Sequence, residues 1–405
     1  MRRAQRYLAS FAACLVFIFC IGVINDQRNG LRGITRIPVF RSSEHNGSNI
    51  VLRTEMHNDE YCIGYNFLEA TELFREDGLE PITLALHATS EMLKTLENRP
   101  SNWDGPISLG LFLDFHSTKS LEYLSDVHRC DDEFRRKVSV HIAFRLSPFQ
   151  TSCPIIETPM TNRACEQFLK NRKEIRESVS GPFQIYPSNL MRNIARIGAK
   201  SDIHFIVDGD MTLSEGFAEK VKPIANKMID GRSKKLLVVR RFESNNTVVP
   251  KNHTELKKAI EKKQVFQFHH KFFFVGHKIA NLSHWFNVSD ASQKIVAWEI
   301  PYSSSEWEIQ VILHRNDLYN PDYFPARIRV MQSLIYSLCR AGYTYHLLSH
   351  VFDVHDGIKT GDTTYSKSVI SHQKAYARKK AYDRFKQEMN TTYPETYKKC
   401  GAFVM

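Results

Sequence analysis

The chain has 405 residues, enough for about two to three domains of ordinary size. Lys and Arg number 55 against 44 Asp and Glu, a formal net charge of +11 that is spread along the chain rather than gathered in one tail. No zinc-finger spacing, RNA-binding signature or basic–aromatic stripe accompanies that charge, which argues against nucleic acid as a partner. A diffuse positive field suits nucleotide-sugars or anionic glycans.

Arg2, Arg3 and Arg6 precede an apolar run from Leu8 to Ile24, which predicts a cytoplasmic tail over 1–7 and a membrane anchor over 8–24 with the remainder lumenal. The run is long for a cleaved signal peptide and lacks an obvious small-x-small site, so an uncleaved type II anchor is expected. Residues 25–60 are polar and read as a stem; the globular region is expected over 61–405. Six cysteines follow the anchor, at Cys62, Cys130, Cys153, Cys165, Cys339 and Cys400, permitting up to three disulfides with at least one local bridge among Cys130, Cys153 and Cys165. Asn-x-Ser/Thr sites at Asn46, Asn245, Asn252, Asn281, Asn287 and Asn390 fit a secretory-pathway protein.

Within the globular region, Pro81 to His87, Ile107 to Asp114 and Val138 to Phe144 read as buried strands. Helices are expected over Ala88 to Glu97, Ser120 to Asp126 and Asp131 to Lys137. That alternation predicts an α/β fold with a mostly parallel central sheet and flanking helices. The stretch 151–180 reads as an inserted loop with a helix. Pro187 opens a helix to about Lys200, with Leu190, Ile194 and Ile197 on one face and Asn189, Arg192, Asn193 and Arg196 on the other. The polar stripe is either solvated or runs beside a ligand, with Arg192 the best contact for phosphate or sugar.

The run Ile203-His204-Phe205-Ile206-Val207 ends in Asp208-Gly209-Asp210. Ligands in open α/β sheets sit at the carboxyl ends of such strands. Hard carboxylate oxygens at this spacing suit Mn²⁺ or Mg²⁺ that also holds a diphosphate. Further on, a helix starting at Ser214, a strand over Leu236 to Arg240 and a surface helix over Glu255 to Lys263 are expected. His269 and His270 beside Phe272-Phe273-Phe274 read as packing rather than ligation. A strand from Tyr345 to Phe352 leads to His355, then to Gly357 and Lys359. His355 supplies a third metal ligand, and Lys359 can reach a diphosphate. The tail from Ser366 to Lys399 reads as a solvated helix closing the core.

Several of these segments together resemble glycosyltransferase family 49. The resemblance runs from about Thr83 to Cys400 through Trp103-Asp104-Gly105-Pro106-Ile107-Ser108, Tyr186-Pro187-Ser188-Asn189-Leu190-Met191-Arg192-Asn193, Asp208-Gly209-Asp210, Arg241-Phe242-Glu243, Trp307-Glu308 and Val354-His355-Asp356-Gly357-Ile358-Lys359. It implies a GT-A-type nucleotide-sugar-binding fold in a Golgi type II membrane enzyme. Such an enzyme would bind Mn²⁺ through Asp208, Asp210 and His355, and a UDP-sugar with the help of Asn189, Arg192, Asp208 and Lys359. It would transfer glucuronic acid or N-acetylglucosamine to a glycan or glycoprotein acceptor with inversion. The family pattern breaks in the acceptor half: Ile309 stands where Pro follows Trp-Glu, and Asn320 to Met331 diverges. Asp322 and Glu308 remain as candidate catalytic bases there. The divergence leaves a second expectation, an inactive family member that binds nucleotide or glycan in the lumen. A metal hydrolase or phosphotransferase is a third. Self-association, or association with other Golgi transferases, is open.

Overall fold

A computed structural model describes residues 43–46, 49–245 and 249–405. The expected tail, the anchor and part of the stem lie outside them; among the described residues no helix is long and apolar enough to cross a membrane.

Strand structure starts inside the stretch read as stem, with β1 (Glu44–Asn46), β2 (Asn49–Leu52) and β3 (Glu55–His57) ahead of β4 (Tyr61–Leu68). Ile50 and Leu52 are buried in the main apolar core, so this part of the chain belongs to the fold. The expected strands follow as β5 (Ile82–Ala88), β6 (Ile107–Leu113) and β7 (Val138–Arg145). Every residue of β5 and β6 is buried, as expected of apolar runs covered on both faces. The 151–180 insertion contains β8 (Ile156–Pro159), which pairs with β2 in a small antiparallel sheet, and the helix Cys165–Glu177.

The rest of the sheet comprises β9 (Ile203–Ile206), β10 (Met211–Leu213), β11 (Lys235–Ser244), β12 (Val265–Gln267), β13 (Ala297–Ile300), β14 (Gln310–His314) and β15 (Thr344–Asp356). Among the described residues the main sheet runs β10-β15-β11-β14-β9-β5-β6-β7-β4-β3, with β12 beside β11 and β13 beside β15. It is mixed. The expected parallel pairing holds for β9–β5–β6–β7 and for β11–β15, while β14 is antiparallel to both β9 and β11. Two antiparallel steps restore direction, so β11 and β15 point the same way as β9 and β5. Hydrophobic periodicity carries no strand direction, so it does not predict the antiparallel insertion of β14.

The helix Ser188–Gly198 covers one face of the parallel block, packing Leu190, Met191 and Ile194 on Phe112, Ala143 and Ile63. It approaches the sheet at Gly110, where a Cβ would stand 2.8 Å from the Met191 carbonyl oxygen. The opposite face packs against helices Lys119–Cys130 and Phe217–Met228. Disulfides join Cys130 to Cys165, the local bridge expected, and Cys62 to Cys153 and Cys339 to Cys400 over longer separations. The tail forms helices Thr364–Tyr376 and Arg378–Thr392, which bury Val369, Ala381, Phe385 and Met389.

Phe205 is fully buried on β9 and stacks on Phe217 at 4.9 Å between ring centroids. Phe205→Ala is expected to lower stability by about 3–5 kcal/mol, as for other large-to-small core changes. Chemical denaturation of parent and variant measures it.

Candidate active site

The carboxyl ends of β5, β9, β11 and β15 share one edge of the sheet, and the polar residues just inside or beyond those ends converge there. Asp208 lies two residues beyond β9. Arg192 Nη2 donates to its Oδ1 at 3.0 Å, and Arg241 Nη2 to its Oδ2 at 2.9 Å. His87, from the end of β5, places Nε2 3.7 Å from Oδ1. Burial alone would raise the Asp208 carboxyl, but His87 and the Arg241 and Arg192 guanidinium groups hold it well below the usual carboxylate range.

The turn beyond Asp208 is clamped from behind. Arg99, 5% exposed, donates to the carbonyl oxygens of Gly209 and Met211. Gly209 lies against Met92, whose methyl would be 2.7 Å from any added Cβ. Asp210 therefore projects outward, and its side chain is 53% exposed. β10 pairs with β15 so that Met211 faces His355, which brings His355 Nε2 to 3.4 Å from Asp210 Oδ2. His355 Nδ1 lies 2.8 Å from the Gly357 carbonyl oxygen and donates to it, which fixes the tautomer and leaves Nε2 facing Asp210. The hydrogen bond to Asp210 raises the His355 pKa against the effect of burial.

Two ligand atoms of the right chemistry for Mn²⁺ therefore stand together. The expected third does not join them, because Asp208 is engaged by two arginines. Among the described residues no three His, Cys, Asp or Glu side chains converge on one ion. Asp210 and His355 fit a divalent cation whose remaining ligands come from a diphosphate and water, while Asp208 fits an anchor for cationic side chains.

Arg241 carries the site inward. Its guanidinium lies 3.9 Å from the Phe268 ring centroid, and its Nε is 3.9 Å from Asp353 Oδ1. Asp353 is fully buried on β15, and desolvation pushes its carboxyl well above the usual range despite Arg241. The Gln310 amide, with its nitrogen toward Asp353, donates to Oδ2 and accepts from Arg241 Nε at 3.3 Å. Neither Arg99 nor Gln310 left a signal in the sequence. Asp353 did: an acid within an apolar strand, two residues from His355 and therefore on the same side of it.

Glu308 sits at the mouth of the site with 21% of its side chain exposed. Gln332 Nε2 donates to its Oε2 at 2.9 Å, and the His277 ring approaches to 4.0 Å. Burial raises the Glu308 carboxyl, and Arg241, Asp208, Arg192 and Lys359 all lie within electrostatic reach of it. Lys359 Nζ pairs with Asp362 at 3.1 Å and lies over Phe272 at 4.2 Å. Its backbone nitrogen and the His270 ring are both held by the fully buried Glu243.

Two further expected residues are engaged by partners within the protein. Asn189 is 1% exposed; its amide donates to the Pro321 carbonyl oxygen at 2.9 Å and accepts from Asn320, so it holds a loop. Asn193 and Arg196 of the same stripe bind the backbone of 314–320. The stripe is thus buried under the loop after β14, with Arg192 turned to Asp208. Asp322 sits at the far end of that loop, with His57 Nε2 at 2.6 Å and Asn58 Nδ2 at 3.3 Å. His57 closes β3, in the stretch read as stem, which is why this pair was not foreseen.

An open α/β sheet with an Asp-x-Asp turn at its carboxyl edge, facing arginines and a histidine, is an architecture suited to group transfer from a phosphorylated donor. The model of the family described as glycosyl-transferase for dystroglycan matches residues 81–394, so the chain belongs to glycosyltransferase family 49 and is a glycosyltransferase by descent. Human beta-1,4-glucuronyltransferase 1 is 26% identical over 337 residues, covering 79% of this chain and 77% of that protein. Zebrafish xylosyl- and glucuronyltransferase LARGE2s is 24% identical over 277 residues, covering 65% of this chain and 31% of that one. Among solved structures, GalNAc-T7 with UDP, GalNAc and Mn²⁺ aligns with a TM-score of 0.39 at 10% identity, over 82% of this chain and 53% of that chain.

Arg241→Met is expected to cost about 2 kcal/mol of stability. That is below the ~3–5 kcal/mol of breaking a fully buried pair, because Asp208 keeps a third of its side chain exposed. A double-mutant cycle with Asp208→Asn, followed by urea unfolding, should return a favourable coupling between the two positions.

Proposed function

We propose that the chain transfers glucuronic acid from UDP-glucuronic acid to a glycan acceptor with inversion, using Mn²⁺, as a GT-A-type enzyme of the Golgi lumen. The observation that carries this reading is the pairing of Asp210 with His355 at a sheet edge that also holds Arg192, Arg241 and Lys359. Glucuronic acid is preferred over N-acetylglucosamine because the relatives are named glucuronyltransferases and the net charge of +11 favours a carboxylate-bearing donor.

Asp210 and His355 would hold the cation, which when bound offsets negative charge on the leaving diphosphate. Lys359 can swing from Asp362 toward the same phosphates, and Arg192 and Arg241 offset the charge of Asp208 beside them. Glu308 is the better base of the two expected. Its carboxyl, raised by burial and held by Gln332, is a stronger proton acceptor than an ordinary carboxylate, whereas Asp322 is turned toward His57. As the acceptor oxygen bonds to the anomeric carbon, its proton passes to Glu308, and the bond from that carbon to the diphosphate breaks with its electron pair leaving on UDP.

Anchoring in a Golgi membrane rests on the 8–24 run together with features of the described residues. Three disulfides suit an oxidising compartment, and the sequon residues Asn245, Asn281, Asn287 and Asn390 are exposed.

The test is a panel of UDP-sugars assayed for released UDP, with Mn²⁺ and with chelator. Asp210→Asn and His355→Ala should each reduce turnover by more than the 10–100-fold typical of losing a supporting partner. Turnover unaffected by chelator would remove the metal assignment. Glu308→Gln should lower kcat by about 10²–10⁴-fold while UDP titrates normally. UDP binding with no turnover on any donor and acceptor would instead favour a binding-only family member, which the divergence over 320–331 leaves as the second reading.

A further inference from the structure

We propose that Phe115 and Phe183 form an aromatic platform that stacks the sugar rings of the acceptor chain beside the transfer site; the inference rests on the glycosyltransferase reading and supplies its acceptor subsite. Both rings stand in solvent, 77% exposed for Phe115 and 86% for Phe183. They come from separate segments. Phe115 lies just past the carboxyl end of β6, and Phe183 lies in the connection between helices Cys165–Glu177 and Ser188–Gly198.

One buried carboxylate joins the two segments. Asp114 accepts from the backbone nitrogen of Phe183 on Oδ2, and from those of His116 at 3.0 Å and Ser117 at 3.2 Å on Oδ1. The His116 ring lies between the phenyl groups, its centroid 3.8 Å from that of Phe115 and 6.2 Å from that of Phe183. A second tie runs from Ser90 Oγ to the Ser180 carbonyl oxygen at 2.7 Å, linking the Phe183 segment to the chain that leaves β5. The rings are therefore mounted on turns anchored to the carboxyl ends of two central strands.

The same segment leads into the site. Three residues beyond Phe183, the Tyr186 hydroxyl bonds His87 Nδ1 at 2.7 Å, and His87 is the imidazole beside Asp208. Exposed phenyl rings contribute little to folding, and rigid mounting of apolar rings next to a polar site is a feature of recognition surfaces. Pyranose rings present C–H faces that pack on aromatic faces, while His116 offers a ring nitrogen to a neighbouring hydroxyl. The size also selects the occupant. Two phenyl groups supply about 300–500 Å² at 150–250 Å² each, short of the ~800 Å² per partner of a stable protein interface, but matched to a few sugar rings.

The test uses the full chain and a glycan array of neutral and glucuronate-bearing β-linked oligosaccharides. Phe115→Ala/Phe183→Ala should weaken binding to the best oligosaccharide by about tenfold or more, while UDP titrated with Mn²⁺ binds within about twofold of the parent. Phe115→Trp/Phe183→Trp should retain glycan binding. The proposal is overturned if the alanine pair binds glycan as the parent does, or if the parent binds no oligosaccharide on the array. It is equally overturned if the alanine pair instead changes the sedimentation coefficient or lowers binding to anionic vesicles, which would assign the rings to a second copy or to a lipid surface. A parent chain that fails to titrate with UDP removes the transferase reading, a failure separate from that of the platform.

Discussion

The carboxylate of Asp208, gripped from two sides by arginines, is the constraint on which the site depends. Arg192 reaches it from the helix that covers the parallel block, and Arg241 from β11, two strands away across β14. One acid thus ties together helix, β9 and β11 at the carboxyl edge of the sheet. The pair geometry also directs Arg241 over Phe268 and toward Asp353. Arg99 adds the complementary restraint by holding the backbone of Gly209 and Met211. With the turn held from front and back, Asp210 can only point outward, toward His355.

The chemistry divides along this line. Carboxylates already satisfied by cations, such as Asp208, organise the site. Among the described residues Asp210 and Glu308 have no arginine partner: Asp210 faces His355 and Glu308 accepts from Gln332. Asp353 is a third kind: fully buried with its carboxyl pushed up by desolvation, it accepts from the Gln310 amide beside Arg241. Burial and neighbours thus hold Asp208 down and push Glu308 and Asp353 up along one sheet edge.

Much of the fold was legible in the residues. The short, largely apolar runs of β5, β6 and β9 read as buried strands, and the alternation with helices pointed to an α/β sheet. Asp208, Asp210, Glu308, His355 and Lys359 were singled out from sequence, and the structure gathers all five at one edge. Asn189 and Asp322 were also singled out, and the structure gives them other partners, because the loop after β14 folds back on the helix Ser188–Gly198. Long-range contacts of that kind leave no local pattern. The same holds for Arg99 and for the Gln310 amide, which lie far along the chain from what they bind.

Composition and local pattern determined which segments are buried, where strands end in carboxylates, and which family the chain resembles, because burial and secondary-structure period are written into neighbouring residues. Only the tertiary structure decided that β14 enters antiparallel, that Cys153 pairs with Cys62 outside its local group, and that Asp208 faces arginines while Asp210 faces His355. Those outcomes depend on which strand lies beside which. Adjacency in a sheet is settled by the packing of the whole chain and not by any stretch of it.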